Sequence, residues 1–315
     1  MFVKFCNFVT ISVEYSSGQK EHAVSTTTEA TTTVPGWFTA ALAQAPEVFE
    51  TSVAGASIRY RTWGERGRRN IVLVHGGAAH SRWWDHIAPL LATDGRVVAL
   101  DLSGHGDSEH RATYSVETWG EEVLTVARHA GLGDGFTLVG HSLGGLITTH
   151  LASRADTSVG SAIVIDSPVG TPGELTSIES HDLLPVRRRV YESAERMIER
   201  FRPVPAQSML PYVARHIATH SITEVPGGWS WKFDSNIFGG EVLRAQFGAL
   251  RRPLAYLRAE TGVTDGSARA IVEASGALFA QLPETGHAPM LDQPIALVTA
   301  IRTVIGAWVS RSGAL

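Results

Sequence analysis

The chain has 315 residues, 43% of them hydrophobic and 18% charged, with a formal net charge of −4 and one cysteine, Cys6. That length admits one large core carrying an inserted subdomain. The mild negative charge and scattered basic residues argue against a nucleic-acid partner. The lone thiol excludes an internal disulfide or a cysteine zinc site and fits a reducing, cytoplasmic setting.

Residues 1–34 read as a disordered leader. Their apolar run, MFVKFCNFVTISV, is too short and broken to span a bilayer and lacks a clean cleavage site. STTTEATTTV is low in complexity and has no apolar period. No other segment approaches a membrane span. The remainder divides into a first core part, 35–169, a helical cap, 170–250, and a second core part, 251–315.

GWFTAALAQAP suggests a short helix, and EVFETSVAGASIRYRTWGE two strands folded at Gly55. NIVLVHGG is a buried strand ended by glycine, WDHIAPLLATDG a helix, and RVVALDLSGHGDS a second buried strand running into a loop. SVETWGEEVLTVARHAGL opens on Ser115 and keeps a helical period. Then follow FTLVGHSLGG (strand and tight turn), LITTHLASRA (helix) and SAIVIDSPVG (strand). Apolar strands alternating with helices imply a parallel sheet covered on both faces. The cap region reads as two helices, LLPVRRRVYESAERMIERFR and MLPYVARHIATHSI, with GGWSWKFD as an aromatic loop. RPLAYLRAE and LFAQLPETGH return to strands around a helix near SARAIVEASG, and a last helix closes the chain.

Gly140-His141-Ser142-Leu143-Gly144 is G-x-S-x-G between a strand and a helix. That context raises Ser142 above an incidental turn serine, as a nucleophile on a strained turn. The helix beginning at Leu143 offers backbone N–H groups and a positive dipole end to a developing oxyanion. Gly77, after His75-Gly76, could supply a second N–H. His287, in the loop after the last strand, is of the residue type best suited to act as a general base. Trp83 and Trp84 open a helix, either walling a pocket or filling the core. His141, Trp229 and Trp231 are further pocket candidates. Alternation would send Trp229, Trp231 and Phe233 to one face. His216 and His220 have a metal-compatible i, i+4 spacing but no evident third ligand, so a solvated or packed pair is the better reading. Arg187-Arg188-Arg189 reads as a solvated helix face. GLGDGF follows a helix and precedes a strand, the reverse of a dinucleotide loop.

Together HGG (75–77), DLSGHGDS (101–108), GHSLGG (140–145), DSP (166–168) and GHAPMLDQP (286–294) resemble the α/β-hydrolase superfamily in content and order. The resemblance implies an α/β fold with an eight-stranded, mostly parallel sheet, helices on both faces, an inserted helical cap and no cofactor. It also implies Ser142 as nucleophile, His287 as base, and Gly77 with Leu143 as oxyanion hole. Asp101, Asp107 and Ser108 match a segment that is usually structural. The third triad member departs from the pattern. Many relatives carry an acid after strand seven in G-x-x-D, and here Ala259-Glu260-Thr261-Gly262 puts Gly262 in that slot. Three carboxylates remain: Asp166, favoured because it ends a strand at the sheet's C-terminal edge, then Glu260 and Asp265.

A serine at the elbow points to acyl chemistry on a small carboxylic ester or lactone, through an acyl-enzyme. Hydrolysis of a C–C bond in a β-diketone-like substrate would use the same residues. Cofactor-independent oxygenation, perhydrolysis, or small-molecule binding without turnover are further readings on the same scaffold, since a fold alone does not fix function. Oligomeric state has no sequence signature here.

Overall fold

Eight strands form one sheet in the computed structural model, which describes residues 33–170, 190–238 and 245–312. They are β1 (Glu47–Val53), β2 (Ala56–Trp63), β3 (Ile71–Val74), β4 (Val97–Leu100), β5 (Phe136–His141), β6 (Val159–Ile165), β7 (Leu254–Thr261) and β8 (Leu278–Gly286). Across the sheet they run β1-β2-β4-β3-β5-β6-β7-β8. β2 pairs antiparallel with β1 and β4, and every other pairing is parallel.

The apolar runs explain the buried middle. Every residue of β3 and β4 is buried. Period-two alternation sends Ile71 and Leu73 to one core and Val72 and Val74 to the core on the opposite face. Truncating any of these would cost about 2–5 kcal/mol through lost burial and a cavity.

The helices are α1 (Gly36–Leu42), α2 (Ala88–Leu91), α3 (Val116–His129), α4 (Leu143–Ser153), α5 (Ala194–Glu199), α6 (Pro211–His220), α7 (Ser267–Ala274), α8 (Pro289–Asp292) and α9 (Pro294–Ser312). Ser115 caps α3 by accepting from the Thr118 N–H at 3.1 Å. The single helix expected over WDHIAPLLATDG is instead a 3₁₀ turn, Ser81–Trp84, followed by the four-residue α2. Pro89 explains the break: it lacks an N–H and its ring would meet the carbonyl of Asp85 in a continuous helix. Among the described residues no helix is long and apolar enough to cross a membrane.

The expected cap helices are only partly present as read. α6 covers the second, while α5 is the described part of the first. Residues 171–189, with Arg187–Arg189, lie outside the described residues, as does 1–32 of the expected leader. The expected aromatic loop is a hairpin: Ile222–Val225 pairs antiparallel with Gly228–Trp231. Pro226-Gly227, with Gly227 at φ 88°, makes its tight turn, and β-branched and aromatic residues fill its strands.

The DLSGHGDS loop anchors this hairpin to the sheet. Asp101 accepts from the backbone of Ser81 (2.6 Å) and Asp107 (2.9 Å), which folds the loop. The loop then binds the cap through Gly106 N to Lys232 O (2.8 Å), Asp234 N to Gly104 O (2.8 Å) and Lys232 Nζ to Asp107 (2.5 Å).

Candidate active site

β5 ends at His141 and α4 begins at Leu143, so Ser142 alone makes the turn. Its backbone sits at φ 51°, ψ −115°, a region that costs a non-glycine residue about 1–3 kcal/mol. The turn is held by its surroundings. Ser142 N donates to Ile165 O at 3.0 Å, and the Ser167 hydroxyl donates to Ser142 O at 2.7 Å. The flanking glycines are required by close packing. A Cβ on Gly140 would stand 2.1 Å from Gly144 O, and one on Gly144 would stand 2.5 Å from Val74 O.

His287 leaves the end of β8 and reaches the same point. Its Nε2 lies 3.0 Å from Ser142 Oγ and its Nδ1 2.8 Å from Asp166 Oδ2. The carboxylate fixes the proton on Nδ1 and leaves Nε2 to accept from the serine hydroxyl. The backbone around His287 is clamped from the cap. The Gln207 amide accepts from Ala288 N (2.8 Å) and donates to Ala288 O (3.1 Å) and to Asp292 Oδ2 (2.9 Å). The same Asp292 oxygen accepts from Gly286 N at 2.6 Å. Burial pushes the Asp292 carboxyl above its ordinary range.

Asp166 follows β6 and is fully buried, at φ 40°. Besides His287, its carboxylate accepts from Val263 N (2.9 Å), Ala259 N (3.1 Å) and Thr264 Oγ1 (3.3 Å). All three donors belong to the end of β7 or the loop after it. A Cβ on Gly262 would stand 2.1 Å from Asp166 Oδ2. The glycine in the expected acid slot is therefore the space that the Asp166 carboxylate fills. The other two candidate acids are engaged elsewhere: Glu260 Oε2 accepts from Glu284 N at 2.6 Å, and Asp265 accepts from Ser267 N at 2.8 Å.

A pocket opens over Ser142 and His287. Gly76–Ala79, Trp83, Phe201, Trp231 and Phe233 line it together with His141, Ser221 and the 202–204 segment. Gly77 lies at its edge and Leu143 begins α4; among the described residues neither N–H has a protein acceptor. His75 steadies the Gly76-Gly77 loop, accepting from Leu102 N at 3.1 Å on Nε2 while Nδ1 donates to Gly76 O at 2.7 Å. Burial holds this imidazole neutral, below its ordinary pKa. His141 lines the pocket but also holds the His287 backbone, its Nε2 donating to His287 O at 2.8 Å. Burial, with His287 nearby, keeps it well below its ordinary pKa.

Two expected pocket residues are not there. Trp84 is fully buried in the same core cluster as Trp83, packed with residues of the central strands β3 and β4, and only Trp83 reaches the pocket. Trp229 does not line the pocket; its backbone pairs with that of Tyr191. His216 Nε2 donates to Asp85 Oδ2 at 3.0 Å, and His220 Nδ1 donates to the His216 carbonyl at 2.8 Å. Among the described residues no group of side chains could hold a metal ion. The sequence reading missed Gln207, Ser167 and Phe201. Ser167 lies inside the DSP motif, but Gln207 and Phe201 sit in none, and Gln207 is separated from its partner Ala288 by 81 positions.

The family model described as "Alpha/beta hydrolase family" matches residues 71–301. The chain belongs to this family, and its esterase and serine-hydrolase relatives mark it as a hydrolase. It is 28% identical over 274 residues to esterase Rv0045c of Mycobacterium tuberculosis, covering 82% of this chain and 89% of that protein. It is 31% identical over 147 residues to a pimeloyl-[acyl-carrier protein] methyl ester esterase of Sodalis glossinidius, covering 46% and 55%. Among solved structures, a hypothetical protein from Pseudomonas aeruginosa PAO1 aligns with a TM-score of 0.69 and 26% identity, over 84% of this chain and 99% of that one.

Proposed function

We propose that the chain is a serine hydrolase of small carboxylic esters, working through an acyl-enzyme. The observation that carries this reading is the continuous path Ser142 Oγ, His287 Nε2, His287 Nδ1, Asp166 Oδ2, with links of 3.0 and 2.8 Å. His287 takes the proton as Ser142 Oγ attacks the ester carbonyl, and Asp166 orients the imidazole and stabilises its charged form. The N–H groups of Gly77 and Leu143 receive the oxyanion. His287 returns the proton to the departing alcohol, then draws one from the water that releases the acid. The apolar walls, Trp83, Phe201, Trp231 and Phe233, favour a moderately apolar acyl or alcohol group.

The test is a panel of short 4-nitrophenyl and methyl esters, with intact-mass analysis during turnover. The expected result is hydrolysis with a transient acyl mass on the Ser142 peptide. Both signals should vanish in Ser142→Ala while the thermal transition is kept. Hydrolysis retained in Ser142→Ala would refute the reading.

A further inference from the structure

Residues 200–204, Arg-Phe-Arg-Pro-Val, all line the pocket. Alternation divides them: Phe201 and Pro203 are buried, Arg200 and Arg202 exposed. The Phe201 ring packs on Trp83 and Trp231, with centroids 5.9 and 6.3 Å apart, and so belongs to the apolar wall. The two arginines stand at the solvent end of that wall. No Asp, Glu or Lys is among the residues that line the pocket. Its histidine neighbour His141 is held neutral by burial. The pocket therefore carries positive charge at its rim without a balancing carboxylate.

Both guanidinium groups are positioned yet lack an ion pair among the described residues. Arg202 uses Nη1 to donate to Glu199 O (2.8 Å) and Phe201 O (2.7 Å). Arg200 lies over the Tyr191 ring, 5.8 Å from its centroid. Nearby arginines differ: Arg196 pairs with Glu192 at 3.8 Å and Arg215 with Glu195 at 3.2 Å. Glu192 and Glu195 of the same region thus pair with arginines that do not line the pocket. A planar guanidinium matches the oxygens of a carboxylate or phosphate.

We infer that Arg200 and Arg202 recognise an anionic group at the end of the substrate away from the scissile bond. The preferred substrates are then esters with an apolar middle and a terminal carboxylate or phosphate. This rests on the proposed ester hydrolysis at Ser142. Because the rim is solvated, the contribution is moderate and sensitive to salt.

The test compares monomethyl esters of linear dicarboxylic acids with neutral esters whose far carboxylate is a carboxamide, and with ω-phosphate esters of equal length. In the wild-type protein kcat/KM for the anionic ester should exceed that of the carboxamide by about 5–30-fold, through KM, and the ratio should shrink at high salt. The better of carboxylate and phosphate identifies the anion. In Arg200→Gln/Arg202→Gln the ratio should fall to within about twofold of unity. A wild-type ratio near one, or a ratio that survives in the double variant, would overturn the inference. Calorimetric titration of Ser142→Ala with the anionic and carboxamide esters tests recognition without turnover; equal affinities would also overturn it. Equal hydrolysis of both esters defeats only the anion recognition. Absence of hydrolysis alongside tighter anionic binding defeats only the ester reading.

Discussion

The ends of β6 and β7 lie side by side in the sheet, and they divide one task unequally. β6 runs into Asp166, whose carboxylate points under His287 and is fully buried. β7 runs into Gly262, which presents no side chain, and its neighbouring backbone N–H groups at Ala259 and Val263 turn toward the Asp166 oxygens. One strand end supplies the charge and the other supplies the cradle. The 2.1 Å separation between a Gly262 Cβ and Asp166 Oδ2 means the space holds one carboxylate, not two. In the proposed triad the acid comes from the strand end that carries a side chain, and the other strand end yields the room for it.

The comparison breaks most severely at Asp166. Asp166→Asn should lower kcat by about 10²–10⁴, because an amide no longer fixes the Nδ1 proton or stabilises the charged imidazole. Steady-state kinetics on a 4-nitrophenyl ester read this directly. Gly262→Ala attacks the same carboxylate from the other strand. Its methyl group would push the acid out of line, with a loss on the order of 10–10² in kcat. The exchange Asp166→Gly/Gly262→Asp should recover about tenfold over Asp166→Gly alone, since the acid can enter the vacated space from β7. No recovery would mean that the cradle accepts an acid from β6 only.

The clamp on the base comes next. Gln207→Ala removes the side chain that pairs with both backbone groups of Ala288, at roughly 1 kcal/mol per hydrogen bond. The expected loss is about three- to tenfold in kcat with KM little changed. A change confined to the thermal transition would make the clamp purely structural. Glu260→Gln is the smallest: its carboxylate accepts from Glu284 N, so kcat should stay within about twofold of wild type. A loss comparable to that of Asp166→Asn would move the acid to β7.

Much of this was legible in the residues. The apolar runs at Ile71–Val74, Val97–Leu100 and Ile163–Ile165 are short continuous segments of the kind that strands buried on both faces of a parallel sheet use. G-x-S-x-G announced the elbow, since both glycines are demanded by backbone contacts under 3 Å. The order of motifs brought Ser142 and His287 together, and Asp166 was favoured from its place at a strand end. What separated Asp166 from Glu260 and Asp265 was the direction of each side chain, and spacing does not carry that. Which of Trp229 and Trp231 reaches the pocket was similarly hidden, because two residues apart on one strand they share a face, and alternation cannot separate them. Gln207 left no trace, its partners lying far along the chain.

In the proposed reaction Asp166, through His287, activates Ser142. The most direct measurement is the rate at which a fluorophosphonate labels Ser142 in the wild-type protein and in Asp166→Asn, followed by intact mass and peptide mapping. The expected result is one stoichiometric adduct on Ser142, formed at least about 10² times more slowly in the variant. Equal labelling rates, or an adduct elsewhere, would contradict it.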